Sequence, residues 1–239
     1  MKRIIGIILA VVMLATLPVS FASAEEVLFS YSQEQANKFS ALGVFSDSII
    51  SKETLEGASL TRGEFASLMT FLFCVTPNSE KLTEAPFSDV DIDEAISPYI
   101  KAAKDYLKFY GFSDGTFHPD SPILYSQAIR AILSNMGYDF KEDFICGYPT
   151  GYMGMACELK LTSGLSMGND EELNINDYLK LIENALDKPV LTVTSAGDSV
   201  SFGNERNDTV LSLYHDIYYI ENILNANDIT SIKGYNDTE

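Results

Sequence analysis

The sequence predicts a mainly α protein in which three helix-loop-helix units share one core and a small α+β tail follows. Three observations carry that reading. Apolar residues recur at helical spacing in paired stretches along most of the chain, and Gly, Asp and Pro words separate the members of each pair. After Pro189 the pattern changes to short alternating runs.

The chain begins with Lys2 and Arg3, an apolar run, Pro18 and then Ala22-Ser23-Ala24. This is the layout of a secretory signal peptide cleaved after Ala24, and the apolar run is shorter than the roughly 20 residues a membrane span needs. The mature protein is expected to be exported. Losing Lys2 and Arg3 takes the 16 basic residues to 14 against 34 acidic ones, a formal charge of −20. Such a surface repels phosphate backbones, which excludes nucleic acid as a partner. An anionic polymer could bind only at a local cationic spot.

In the first unit a helix is expected near residues 33–42, then a polar loop, then a second helix opened by Thr61. Thr61 and Glu64 form a capping box, each side chain accepting from the other's amide. Phe65, Leu68, Met69, Leu72 and Phe73 then fall at i, i+3, i+4, i+7 and i+8, the stripe of a core-facing helix. Arg62 is left over. It occupies the first turn, where the macrodipole is positive and a cation gains nothing from the helix. A solvated surface arginine and a binding residue both remain open readings.

In the second unit Ser97 is expected to cap and Pro98 to start a helix carrying Ile100, Ala103, Leu107 and Tyr110, ended by Gly111. The words GFSDGTFHPDSP follow, with a tight turn at Asp114-Gly115. A helix from about Leu124 then carries Ile129, Ile132, Leu133 and Met136, and Gly137 terminates it. The third unit repeats the scheme. Tyr152, Met155, Ala156 and Leu159 mark its first helix, and Tyr178, Leu181, Ile182, Ala185 and Leu186 its second, which begins at Asn174. No unit buries its stripe alone, so the three must pack together. Beyond Pro189, the run VLTVTSAGDSVSF reads as a strand pair about Gly197-Asp198, and a short helix comes next.

Other chemistry is sparse. Asp89, Asp91 and Asp93 alternate like a calcium loop, but Glu94 takes the glycine position and Ile100 that of the bidentate acid. They are expected to precede and cap the helix at Pro98. Of the three cysteines, Cys74 reads as a small buried hydrophobe, while Cys146 and Cys157 flank one turn and their pairing stays open. His118 and His215 lie far apart, without a Cys-x-x-Cys, so neither a zinc site nor a nucleophile paired with a histidine can be assembled from the sequence. No enzyme, cofactor or metal is read here.

FSDV at residues 87–90, GFSDGTFHPD at 111–120 and LTRGEF at 60–65 stand in order with helices around them. In these words the chain resembles the S-layer homology (SLH) family, of the diverged type found in exported clostridial proteins. The resemblance implies three modules in a pseudo-threefold bundle, at about residues 25–79, 80–140 and 141–188, with 1–24 as signal and 189–239 as an extension. It implies a non-catalytic protein of a Gram-positive-type cell wall, bound non-covalently to an anionic, often pyruvylated, secondary wall polysaccharide or a peptidoglycan-linked glycan, free of membrane once the signal is cleaved. A structural or protein-interaction module of the envelope, with envelope proteins as partners and no glycan binding, is the alternative. The implied glycan residues are Arg62, Thr61, Glu64, Tyr125, Asp114 and Gly115. In the family an arginine at the position of Arg62 pairs with the acidic sugar, and a guanidinium fork suits a carboxylate. The corresponding positions of the other two modules hold Tyr125 and Ile175, and the tryptophan usual early in a module is missing.

Overall fold

The computed structural model describes residues 49–78, 82–138, 146–196, 199–204 and 207–217. The leader, the helix expected near 33–42 and the Gly197-Asp198 turn lie outside the described residues. The described part is mostly helical, in the order α1 (Lys52–Leu55), α2 (Arg62–Leu72), α3 (Ser97–Tyr106), α4 (Tyr125–Asn135), α5 (Thr150–Glu158), α6 (Ile175–Leu186), β1 (Thr192–Ala196), β2 (Ser199–Gly203) and α7 (Val210–His215). Among the described residues no helix is long and apolar enough to cross a membrane.

The capping box of α2 forms as expected. Thr61 Oγ1 accepts from the Glu64 amide at 3.1 Å and Glu64 Oε2 accepts from the Thr61 amide at 2.9 Å. Glu64 also accepts from the Ser51 amide at 2.7 Å and the Thr54 hydroxyl at 2.9 Å, which ties the short helix α1 to the start of α2. Asn174 caps α6 through its side chain, 3.0 Å from the Asp177 amide. Leu124 heads α4 without an acceptor of its own, so only the returning half of a box exists there, Gln127 Oε1 to the Leu124 amide at 3.4 Å.

What replaces that cap comes from elsewhere in the chain. The residues just before α2, α4 and α6 close a ring of backbone hydrogen bonds: Leu60 N to Leu173 O at 2.7 Å, Leu173 N to Ile123 O at 3.0 Å, and Ile123 N to Leu60 O at 2.9 Å. All three side chains are fully buried. The first free amides of α2 are then taken up by the loop ahead of α4, from Arg62 to Ser121 O and from Gly63 to Pro119 O, both at 2.8 Å. Those of α4 are taken up by the loop ahead of α6, from Tyr125 to Glu171 O at 2.8 Å and from Ser126 to Asn169 O at 3.0 Å. Helix starts that would otherwise need water or side-chain caps are satisfied by loops elsewhere in the chain.

Helix packing is staggered relative to the hairpins expected from sequence. α2 packs on α3 and α4 on α5, so the second helix of one unit meets the first helix of the next. Phe65 links the layers, its ring edge-on to Phe109 at 5.3 Å and to Tyr178 of α6 at 5.9 Å. Phe117 lies edge-on to Phe109 at 5.4 Å and stacks on Phe87 at 5.1 Å, bringing the loop words into the same core.

Several local expectations change. α3 ends at Tyr106 because Lys108 turns into the left-handed region (φ 48°), so Tyr110 is exposed and Phe109 is buried in its place. Ile96 rather than Ser97 precedes the helix, and the Ser97 hydroxyl donates back to the Asp91 carbonyl. Cys74 also has positive φ (50°), just past α2, and the residue is exposed rather than in the core. Cys74, Cys146 and Cys157 are all free thiols.

The tail is fastened to the helical body. β1 and β2 pair antiparallel, from Thr192 opposite Gly203 to Ala196 opposite Ser199. Leu191 N donates to Met136 O at 2.8 Å, and the Tyr138 hydroxyl donates to Pro189 O at 3.0 Å. From α7, the Tyr214 hydroxyl reaches Asn135 O at 3.2 Å while its ring stands edge-on to Phe73 at 4.9 Å. The C-terminal ends of α2 and α4 are thus joined through this segment.

Candidate functional site

Arg62 is the first residue of α2, and the ring of strand-like segments directs it under the loop at residues 111–121. Its Nε donates to Phe117 O at 2.8 Å and its Nη1 to Gln127 Oε1 at 3.1 Å. The guanidinium carbon stands 4.7, 4.8 and 5.0 Å from the ring centroids of Phe112, Phe117 and Phe109. Cation-π contact of this kind partly replaces lost water. The side chain is only 5% exposed, yet among the described residues no carboxylate comes within ion-pair distance of it. Burial lowers its pKa to about 10, against the opposing pull of Asp89 and then Tyr148. It therefore remains a cation at neutral pH, sequestered but not neutralised.

Asp89 acts on this site at one remove. Its carboxylate accepts from the amides of Phe117 at 2.8 Å and His118 at 2.7 Å, with His118 Nδ1 3.6 Å away. Burial pushes its pKa up, but the two amides outweigh that and hold it below the usual carboxylate value. The aspartate of the FSDV word thus fixes the Phe117 carbonyl that holds Arg62; it caps no helix. Asp91 accepts from the Asp93 amide at 2.9 Å. Among the described residues no group of three or more His, Cys, Asp or Glu gathers to hold a metal.

The other expected residues fall into two sets. Thr61 and Glu64 are occupied in the capping network, and Asp114 and Gly115 shape the loop. Asp114 Oδ1 accepts from the Thr116 hydroxyl at 2.6 Å and its amide at 3.0 Å, which together lower the carboxyl pKa. Gly115 takes φ 85°, a conformation suited to glycine, and its carbonyl accepts from the Ser88 amide and hydroxyl, each at 3.1 Å. Tyr125 and Ile175, the first residues of α4 and α6, are buried at 2% and 0% exposure. Among the described residues the Tyr125 hydroxyl has no hydrogen-bond partner, and burial pushes its pKa up to about 12.

Sequence reasoning missed Phe112, Gln127, Tyr148 and Arg130. Phe112 and Tyr148 are 43% and 42% exposed; the Phe112 ring lies against the cation, and Tyr148 is near enough to act on its pKa. The Tyr148 hydroxyl is 2.8 Å from Ser126 Oγ, and the guanidinium of exposed Arg130 lies 5.3 Å from the Tyr148 ring and 5.7 Å from that of Tyr152. Gln127 and Arg130 are one turn apart on one face of α4. The signal for Gln127 was present: Leu124-Tyr125-Ser126-Gln127 aligns with Thr61-Arg62-Gly63-Glu64, so an amide stands where a carboxylate would have quenched Arg62.

A family model described as the S-layer homology domain matches residues 86–129, which hold α3, the Asp89 and Phe117 contacts and the start of α4. Over 222 residues the chain is 22% identical to a "Surface layer protein" of Brevibacillus choshinensis, covering 90% of this chain and 19% of that one. A "Middle cell wall protein" of Brevibacillus brevis is 23% identical over 195 residues, 78% of this chain and 18% of its own. A "Cell surface protein" of Thermoanaerobacter kivui is 27% identical over 111 residues, 46% of this chain and 14% of its own. The chain spans less than a fifth of the length of these relatives.

Proposed function

We propose that this is an exported, non-catalytic protein of the bacterial cell envelope, whose three S-layer homology modules, at about residues 25–79, 80–140 and 141–188, surround a pseudo-threefold axis and hold an anionic secondary cell-wall polysaccharide. The hydrogen-bonded ring of Leu60, Ile123 and Leu173 supports the threefold reading. The family match and the names of the relatives support the envelope.

One observation carries the glycan: a cation buried among aromatic rings with no acid partnering it among the described residues. Burying an unpaired charge is costly, and a ligand carboxylate would relieve that cost by taking the guanidinium edge left over from Phe117 and Gln127. Phe112 and Tyr148 offer rings against which a sugar face can pack, and Arg130 adds a second cation. A sugar bearing a pyruvyl carboxylate matches that chemistry. The remaining sites differ, because buried Tyr125 and Ile175 offer no charge. That loss favours a second reading, an envelope module that serves structure or protein contact alone.

The deciding experiment is retention of the purified protein on wall sacculi, intact or stripped of polymer with hydrofluoric acid. Retention on intact sacculi only, lost with Arg62→Ala, fits the glycan reading. Equal behaviour of wild type on both preparations removes it.

A further inference from the structure

Cys74 and His215 are 141 residues apart in sequence, and the tail brings them together with Cys74 Sγ 3.4 Å from His215 Nδ1. His215 Nε2 lies 2.9 Å from Leu72 O. A carbonyl oxygen can only accept, so Nε2 carries a proton and, in the neutral ring, Nδ1 is left as the acceptor facing the thiol. Base, nucleophile and an orienting third group are all in place, which is the arrangement that activates a weak nucleophile. Nothing local to either residue hints at it, since the two meet only once α7 lies against the end of α2.

We infer that Cys74 is a reactive thiol served by His215 as its base, and that it takes low-molecular-weight disulfides into a mixed disulfide. The Sγ proton passes to Nδ1, the thiolate attacks one sulfur of the disulfide, a new S–S bond forms as the old one breaks, and the released thiolate takes the proton back from Nδ1. One disulfide is consumed and one thiol is released.

Two features make the histidine necessary. Burial, and then the charge of Asp216, raise the Cys74 pKa, so the thiol is protonated at neutral pH and a bare attack would be slow. Nε2 stays bonded to the Leu72 carbonyl just at the end of α2, so the ring keeps its orientation while Nδ1 takes the proton. Cys74 is also exposed, as a reagent requires. Cys146 and Cys157 are exposed too, and neither is within hydrogen-bond reach of a histidine among the described residues. They serve as internal controls.

The test uses full-length protein in three single-cysteine forms, each retaining Cys74, Cys146 or Cys157, with oxidised glutathione as the probe and adduct formation followed by intact mass. Cys74 should react at least about tenfold faster than the other two at pH 7, and His215→Gln should remove that advantage. Added imidazole should restore the rate of His215→Ala, a rescue that a merely unfolded tail would not give. Equal rates at the three cysteines, or a Cys74 rate unchanged by His215→Gln, would overturn the assignment.

Discussion

The Arg62 guanidinium is joined twice to Phe117: its Nε donates to the Phe117 carbonyl at 2.8 Å, and its carbon lies 4.8 Å from the Phe117 ring. The cation at the start of α2 is therefore positioned by the loop ahead of α4. Replacing it with Met keeps the volume and leaves the Phe117 carbonyl short of a donor, a loss of about 1–3 kcal/mol. The change also removes a desolvated charge, which offsets much of that. Arg62→Met should stay within about 2 kcal/mol of wild type in urea unfolding while losing retention on sacculi. A variant that unfolds outright would mean the guanidinium serves the fold more than a ligand.

The ring at Leu60, Ile123 and Leu173 makes a prediction about cooperativity. Each side chain is fully buried, so truncation to Ala should cost about 2–5 kcal/mol. Since each residue also bonds to the next, pairs of substitutions should couple, departing from additivity by about 0.5–3 kcal/mol. Equilibrium unfolding followed by far-ultraviolet circular dichroism would measure both. Strictly additive losses would mean that the three segments stand independently.

Much of this architecture could be read beforehand because period and caps are local signals. The stripe of α2 and the Thr61 box were fully specified within residues 61–73, and the structure reproduces them. The stripe of α6 behaved the same way. What escaped depends on partners distant in sequence. The staggered packing of α2 on α3, the backbone capping of α4 and the docking of α7 leave no mark on their own segments. Tyr110 failed for a different reason, because helical spacing continued for one turn after the backbone had left the helix at Lys108. At the site, position 62 could be singled out as an anomaly. Its burial could not, since that comes from Phe109, Phe112 and Phe117, more than forty residues along the chain.

Gly137 tests how firmly the tail is held. It follows α4 with φ 86°, and a Cβ there would run into the carbonyl of Leu191, the residue whose amide bonds Met136. Positive φ alone costs an L residue about 1–2 kcal/mol. Gly137→Ala should therefore destabilise by at least that much and push Leu191 away. Limited proteolysis should then cut within residues 189–217 well before the helical body unfolds. Unchanged protection would mean the tail's hold does not pass through this contact.

Acid should weaken the site through Asp89. Its folded pKa is depressed, so at low pH the unfolded chain binds a proton that the native state resists, and stability rises with pH across that interval. The contribution is complete above the unfolded value of about 3.9 and is lost as pH falls through the folded one. Asp89→Asn should flatten that acid limb, and it should also lower retention on sacculi at pH 7, since the amides of Phe117 and His118 lose their carboxylate. The two effects together separate a role in holding the loop from general acid sensitivity.

Gln127→Glu is the sharpest discriminator between a binding cation and a structural one. The side chains are isosteric, and a glutamate could still accept from the Leu124 amide as Gln127 does at 3.4 Å. Its contact with Arg62, now 3.1 Å from amide oxygen to Nη1, would become a charge-assisted bond worth about 1.5–3 kcal/mol. The site would then carry its own counter-ion. Thermal stability should rise, and affinity for the wall polymer should fall at least about tenfold, since an incoming carboxylate would meet a neutralised guanidinium and a like charge beside it. If Gln127→Glu gained stability and bound sacculi as well as wild type, the polymer would have to be held somewhere other than Arg62.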